Sequence, residues 1–388
     1  MNNFNKWVAI YGNAMSIGDH KVETYSRDIT LRYPVKSAFD GNKLRFTFDN
    51  FCGTEPITVA KAYVALADSK NNMRINPDTS TVITFSCKES FTVAEKSKAV
   101  SDEIDFDVKR GDTLCVSFYL SDFTLMRSSV IITGPRSGGA YCVGNAVNDE
   151  IFDIDKSRRT SCYYFLSDID ILTSEENHAL VCYGDSITSQ EWPDWLAERI
   201  DRLGITNLSV IRKAASGTRI LREYDNITYE SYGLKGTNRV PREFEVSGAD
   251  TLIIQQGIND IIHPVGTDVN PFRPMSDLPT VPEMADGISF YTDEARKKNI
   301  SVYFGTLLPI KGWRTYADFR EEMKNEFNDW LRTTPISDGC IDFDKAVRSE
   351  SDPASFAEGN DSGDHLHPST NGYKAMAEAV PESILRGE

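Results

Sequence analysis

Residues 178–192 read HALVCYGDSITSQEW. The run Ala179 to Tyr183 is apolar without alternation and stops at Gly184-Asp185-Ser186; the residues after it, WPDWLAERIDRLG, have helical spacing. A strand that is apolar on both faces has no solvent side, so it predicts a parallel sheet covered by helices above and below. Four more such runs follow, NLSVIRKA, ADTLIIQQG, ISVYFGTLL and the shorter GCIDF. They are interleaved with the helical patterns VPEMADGISFYTDEARKKN and YADFREEMKNEFNDWLRT, and NGYKAMAEAVPESIL closes the chain. Repeated strand and helix predict an α/β domain with its ligand site at the carboxyl ends of the strands.

The earlier part of the chain obeys another period. KLRFTFDNF, ITVAKAYVAL, STVITFSC, DEIDFDV, DTLCVSFYL and SSVIITG are short, rich in β-branched and aromatic residues, and separated by Gly, Asn, Asp and Pro. Several alternate apolar with polar, which predicts an antiparallel β-sandwich or jelly roll. The change of period falls at the charged stretch SEENH, so residues 1–173 are expected to form the sandwich and 174–388 the α/β domain.

Forty-two basic residues against 58 acidic give a formal net charge of −16. That charge repels phosphate backbones and anionic lipid at long range, so nucleic acid is not an expected partner. Seven scattered cysteines without a Cys-x-x-Cys pair read as reduced thiols. No apolar run approaches the roughly 20 residues of a membrane span. The start MNNFNKWVAIYGN lacks a basic segment leading into an apolar one. The expected location is the cytoplasm, or outside the cell if a signal has been trimmed.

The strand-end rule places three polar turns on one edge: Gly184 to Ser186 after the first strand, Ser216-Gly217 after the second, and Gly257 to Asp260 after the third. Read alone, Ser186 is a helix cap; read with the other turns it is a candidate nucleophile, and a nucleophilic serine needs a base. There are five histidines. His20 lies in the β-rich half and His178 at the wrong end of its strand, which leaves His263 and the pair in SGDHLHPSTNGY. Asp364 precedes His367 by three residues, a spacing that lets the carboxylate fix the ring's tautomer. Asp260 precedes His263 by the same three, so both histidines are candidates. The amides of Ser186 and Gly217 and the side chain of Asn259 are candidate donors to an oxyanion. Asp185, Trp192 and Tyr224 are candidate substrate contacts, the last within an aromatic insert that also holds Tyr229 and Tyr232. At helical spacing Trp192 and Trp195 also fit packing against the sheet. His365 and His367 could ligate a metal, but no further cluster supplies a third ligand, and no metal or cofactor is expected.

GDSI, the Ser-Gly turn, GIND and DHLHP, in that order, resemble the four blocks of the SGNH hydrolases, the GDSL esterase and lipase superfamily. The resemblance covers residues 178 to 385. It implies a three-layer αβα, flavodoxin-like domain with Ser186 as nucleophile, His367 as base, Asp364 as its orienter, and Ser186, Gly217 and Asn259 as the oxyanion hole. WPDWLAERI, TLLPI, NDWLRT and CIDFDKAVRS resemble a bacterial lysophospholipase-like or acylhydrolase subgroup. That subgroup also carries an N-terminal β-rich domain, which KLRFTFDNFCGTEPITVAKAYVAL resembles. The block-two segment, RKAASGTRI, departs from the family pattern in having no asparagine before its glycine.

The favoured reading is an esterase that removes acetyl or other short acyl groups from a polar, carbohydrate-like small molecule. A lipase or lysophospholipase is the alternative, and a non-catalytic carbohydrate-binding protein is the reading from another class.

Overall fold

A computed structural model describes residues 4–18, 24–68 and 71–388. His20 lies outside the described residues. Two compact units emerge: one holds the chain up to Ala179 together with Thr206–Ile211, the other Leu180–Ile205 together with Arg212–Glu388.

The first unit is antiparallel. One sheet runs in the order Lys6–Gly12, Leu166–Thr173, Gly41–Asp49, Lys98–Val100, with Ile104–Val108 also paired to Gly41–Asp49. The other runs Ser157–Thr160, Gly139–Val143, Ile29–Lys36, Thr113–Leu120, Lys61–Asp68, Asn71–Ile75. The inner faces meet as a sandwich: Phe48 of the first sheet packs edge-on against Phe118 of the second at 5.1 Å between centroids. Alternation predicts burial well here. In Ile104–Val108 the residues Ile104, Phe106 and Val108 are buried while Asp105 and Asp107 are exposed.

The structure differs from the sequence reading at four strands, and three of the differences have a physical cause. STVITFSC forms only the two-residue strand Thr81–Val82, because Ser86 and Cys87 take left-handed backbone and turn the chain. Lys6–Gly12, Ile29–Lys36 and Leu166–Thr173 are strands that the pattern does not single out. Ile29–Lys36 is masked by Pro34, which a central strand rarely tolerates, and Leu166–Thr173 by Asp168 and Asp170. Asp170 is accommodated by an ion pair with Arg45 on the neighbouring strand at 2.8 Å.

The parallel sheet has the order Leu208–Ala214, His178–Gly184, Ala249–Gln255, Ser301–Gly305, Gly339–Ile341, with the last two pairings explicitly parallel. Numbered along the chain this is 2-1-3-4-5, the flavodoxin-like order, whose switch point lies between the first and third strands. Those strands end at Gly184 and Gln255, so the turns bearing Ser186 and Asn259 open on the same crevice. Helices start where their caps dictate: Thr280 and Glu283 form a capping box for Val281–Arg296, and Ser369 caps Thr370–Ala379. The final helical pattern breaks at Pro381 into a second short helix, Glu382–Arg386. Among the described residues no helix is long and apolar enough to cross a membrane.

Candidate active site

Gly184 lets the chain turn at the strand end. A Cβ there would fall 2.3 Å from the carbonyl oxygen of Gln255, so only glycine permits the first and third strands to end this close together. Asp185 then caps a four-residue helix, Ser186–Ser189, accepting from the Ile187 amide at 3.0 Å. Ser186 is the first residue of that helix, and its amide is one of the first-turn N–H groups with no helical partner.

The serine hydroxyl lies 2.8 Å from Nε2 of His367. The other ring nitrogen, Nδ1, lies 2.7 Å from Asp364 Oδ2. The backbone amides of Leu366 and His367 donate to Asp364 Oδ1 at 2.9 and 2.8 Å, and the Ser362 hydroxyl at 3.1 Å. Partial burial would raise the pKa of this carboxyl, but hydrogen bonds from the His367 ring, from the two amides, and the ring's proximity outweigh it and hold the group well below the usual carboxylate range. The result is an ionised acceptor for an Nδ1–H, which leaves Nε2 free to take a proton from Ser186. His365, between Asp364 and His367, adopts left-handed backbone at φ 64° and turns to a different carboxylate, Asp361, at 2.5 Å. The two histidines thus serve separate aspartates, and no group of three or more His, Cys, Asp or Glu side chains among the described residues is placed to hold a metal ion.

The second and third turns are clamped to one another. Asn259 donates from Nδ2 to the Thr218 carbonyl at 3.1 Å, which fixes its amide and leaves a second N–H. Asp260 accepts from the amides of Ile220 and Leu221 at 2.8 and 3.2 Å. Burial pushes the Asp260 carboxyl up to about 6, against those hydrogen bonds and the charge of Arg219. Gly217 sits at φ 76°, and a Cβ on it would lie 2.3 Å from Cδ1 of Tyr232. The Tyr232 ring therefore rests directly on this turn.

His263 is not brought to the serine. Its ring packs on Tyr232 and Tyr224 at 4.9 and 6.0 Å, and its Nδ1 has no hydrogen-bond partner among the described residues. Burial and the charges of Arg273, Arg219 and Arg314 hold its pKa well below the ordinary histidine value.

Two expected substrate contacts are corrected. Asp185 is wholly buried and occupied as a cap; burial pushes its carboxyl up to about 7, opposed by the Ile187 amide and by His367. Trp192 is also wholly buried, packed on Phe343 at 5.3 Å with its Nε1 donating to Thr188. Neither offers a surface to substrate. Tyr224 is nearly buried, under the Arg219 guanidinium at 4.4 Å. Tyr232, named in the sequence only as one member of the aromatic insert, is the ring that reaches the turn; Arg219 is the residue beside it that sequence reasoning did not single out, although it follows Gly217 by only two positions.

A family model described as GDSL-like lipase/acylhydrolase matches residues 182–375. The chain belongs to that family and is a carboxylic ester hydrolase. Among solved structures, the lipase/acylhydrolase from Enterococcus faecalis is 20% identical with a TM-score of 0.40, over 54% of this chain and 96% of that one. A GDSL-like lipase from Bacteroides thetaiotaomicron is 16% identical with a TM-score of 0.38, over 55% and 90%. A catalytic mutant of an acetylxylan esterase from Geobacillus stearothermophilus is 16% identical with a TM-score of 0.39, over 53% and 94%. Among curated proteins none matches this sequence.

Proposed function

We propose that the protein is a serine esterase that works through an acyl-enzyme and removes short acyl groups, acetyl above all, from a polar, carbohydrate-like alcohol. The observation that carries this reading is the continuous hydrogen-bonded chain Ser186, His367, Asp364. His367 Nε2 takes the Ser186 proton as Oγ bonds to the ester carbonyl carbon, and the carbonyl π electrons move onto its oxygen. The amides of Ser186 and Gly217 and the free N–H of Asn259 stabilise that oxyanion, each worth on the order of 3 kcal/mol of barrier. Collapse of the intermediate breaks the bond to the alcohol oxygen, which leaves with the proton from His367. Water, deprotonated by His367, repeats the sequence on the acyl-enzyme and releases the acid. Asp364, kept ionised, holds the ring through both halves.

A second reading, a lipid acylhydrolase, has one observation in its favour. Val269, Phe272 and Met275 on the loop after GIND are exposed, and Phe272 meets Tyr229 of the aromatic insert at 6.3 Å. An inert hydrolase half serving a sugar-binding sandwich has less support, since an intact serine, histidine and aspartate chain has no use in it.

The test is hydrolysis of p-nitrophenyl esters from two to twelve carbons and of acetylated sugars, by the wild type and by Ser186→Ala. A short-chain preference and near-total loss in Ser186→Ala are expected. A long-chain optimum would favour the lipid reading, and equal rates in the two proteins would end the catalytic one.

A further inference from the structure

Arg219 presents an unusual edge. Its side chain is 2% exposed and its Nη1 faces Asp277 Oδ2 at 3.4 Å, while its Cζ stacks over Tyr224. Its Nε and Nη2, the two donors of one guanidinium edge, have no partner among the described residues. Those two N–H groups are spaced to pair with two oxygens of one oxyanion. His263 Nδ1, a third buried polar atom in the same cluster, is also without a partner. A buried donor or acceptor left without a partner is costly, so three such atoms together need a reason.

The surrounding charges point the same way. Arg273 is fixed behind His263 by donating from Nε to the His263 carbonyl at 2.6 Å and from Nη2 to the Ile262 carbonyl at 3.3 Å. The charges of Arg219, Arg273 and Arg314 all reach the His263 ring. Against them stand Asp277, and Asp260, whose oxygens already accept from Ile220 and Leu221. A chain with a net charge of −16 thus gathers three guanidiniums around the His263 ring.

We infer that the Nε/Nη2 edge of Arg219 is a subsite for an oxyanion group, a carboxylate or a phosphate, carried by the substrate. Membership of the substrate rests on the esterase reading; the binding itself does not. Access requires the segment bearing Tyr224 to move, and that segment is tethered where Asn270 Nδ2 donates to the Tyr229 hydroxyl at 2.6 Å.

The test is calorimetric titration of the Ser186→Ala protein with D-glucuronate, glucose 6-phosphate and glucose at constant ionic strength. At least one of the two anionic sugars is expected to bind about ten-fold or more tightly than glucose, and Ser186→Ala/Arg219→Gln to lose about that factor. Binding of glucuronate alone identifies a carboxylate, and of the phosphate alone a phosphoryl group. Arg219→Lys keeps the charge without the paired donors and should lose most of the affinity too. If either substitution unfolds the protein, amide exchange of residues 221–235 in Ser186→Ala replaces it, with slowing by the bound anion expected. No preference for an anion, affinity unchanged by Arg219→Gln, or unaltered exchange would overturn the inference and leave a merely hydrated edge. Because no turnover is read, failure here is distinct from failure of the esterase reading.

Discussion

Two aspartates stand three residues before a histidine, and the molecule treats them in opposite ways. Asp364 gives one oxygen to the ring of His367 and the other to the loop's own amides. Asp260 turns from His263 altogether, giving both oxygens to Ile220 and Leu221. Hydrogen bonds drive the first carboxyl well below its usual range, whereas burial lifts the second to about 6. The same spacing thus makes a histidine–carboxylate pair beside Ser186 in one place and a strut between two turns in the other. What separates them is which donors the surrounding chain presents, and sequence spacing carries no information about that.

The sharpest way to break the contrast is His367→Ala, for which a fall in kcat on the order of 10^6-fold is expected if it is the base. Loss of that size in His263→Ala instead would reverse the assignment. Asp364→Asn should cost on the order of 10^4-fold in kcat, because an amide facing Nδ1 favours the wrong tautomer; a variant within ten-fold of wild type would show that the contact is only structural.

The aspartates should also give stability slopes of opposite sign. Asp260 has a folded pKa above its unfolded one, so the folded state binds more protons between pH of about 4 and about 6. Its contribution therefore falls as pH rises through that window. Asp364 has a depressed folded pKa, so its contribution is present above its unfolded value and is lost as pH falls below it. Urea unfolding from pH 3 to 7 should show Asp260→Asn removing a downward slope, most visibly above pH 4, and Asp364→Asn removing an upward one below it; slopes of equal sign would refute the contrast. The smallest effect belongs to His263→Ala, which should keep at least a tenth of the activity on p-nitrophenyl acetate, roughly within one decade of wild type.

Much of the site is legible in the order of the motifs. GDS, SG, GIND and DHLHP each follow an apolar run or a loop that a parallel sheet must bring to one edge, and the structure brings Ser186, His367 and Asp364 within hydrogen-bond reach. Less legible are residues whose role depends on what covers them. Trp192 on an amphipathic helix could face substrate or core, and Phe343, far along the chain, decides for the core. Tyr232 is one of three similar tyrosines until Gly217 is seen beneath it.

By itself, then, the sequence determined the two kinds of sheet, through periods of apolar residues that only one burial geometry satisfies, and the convergence of the turns bearing Ser186, Gly217 and Asn259 on one edge, through their places after strands with no solvent face. Tertiary structure decided that Ser186 hydrogen-bonds His367, why Asp185 and Trp192 are out of reach, and that Arg219 keeps a buried donor edge without a partner among the described residues. The serine's histidine and the ring that packs on Trp192 come from far along the chain, His367 and Phe343, and such partners leave no local pattern to read.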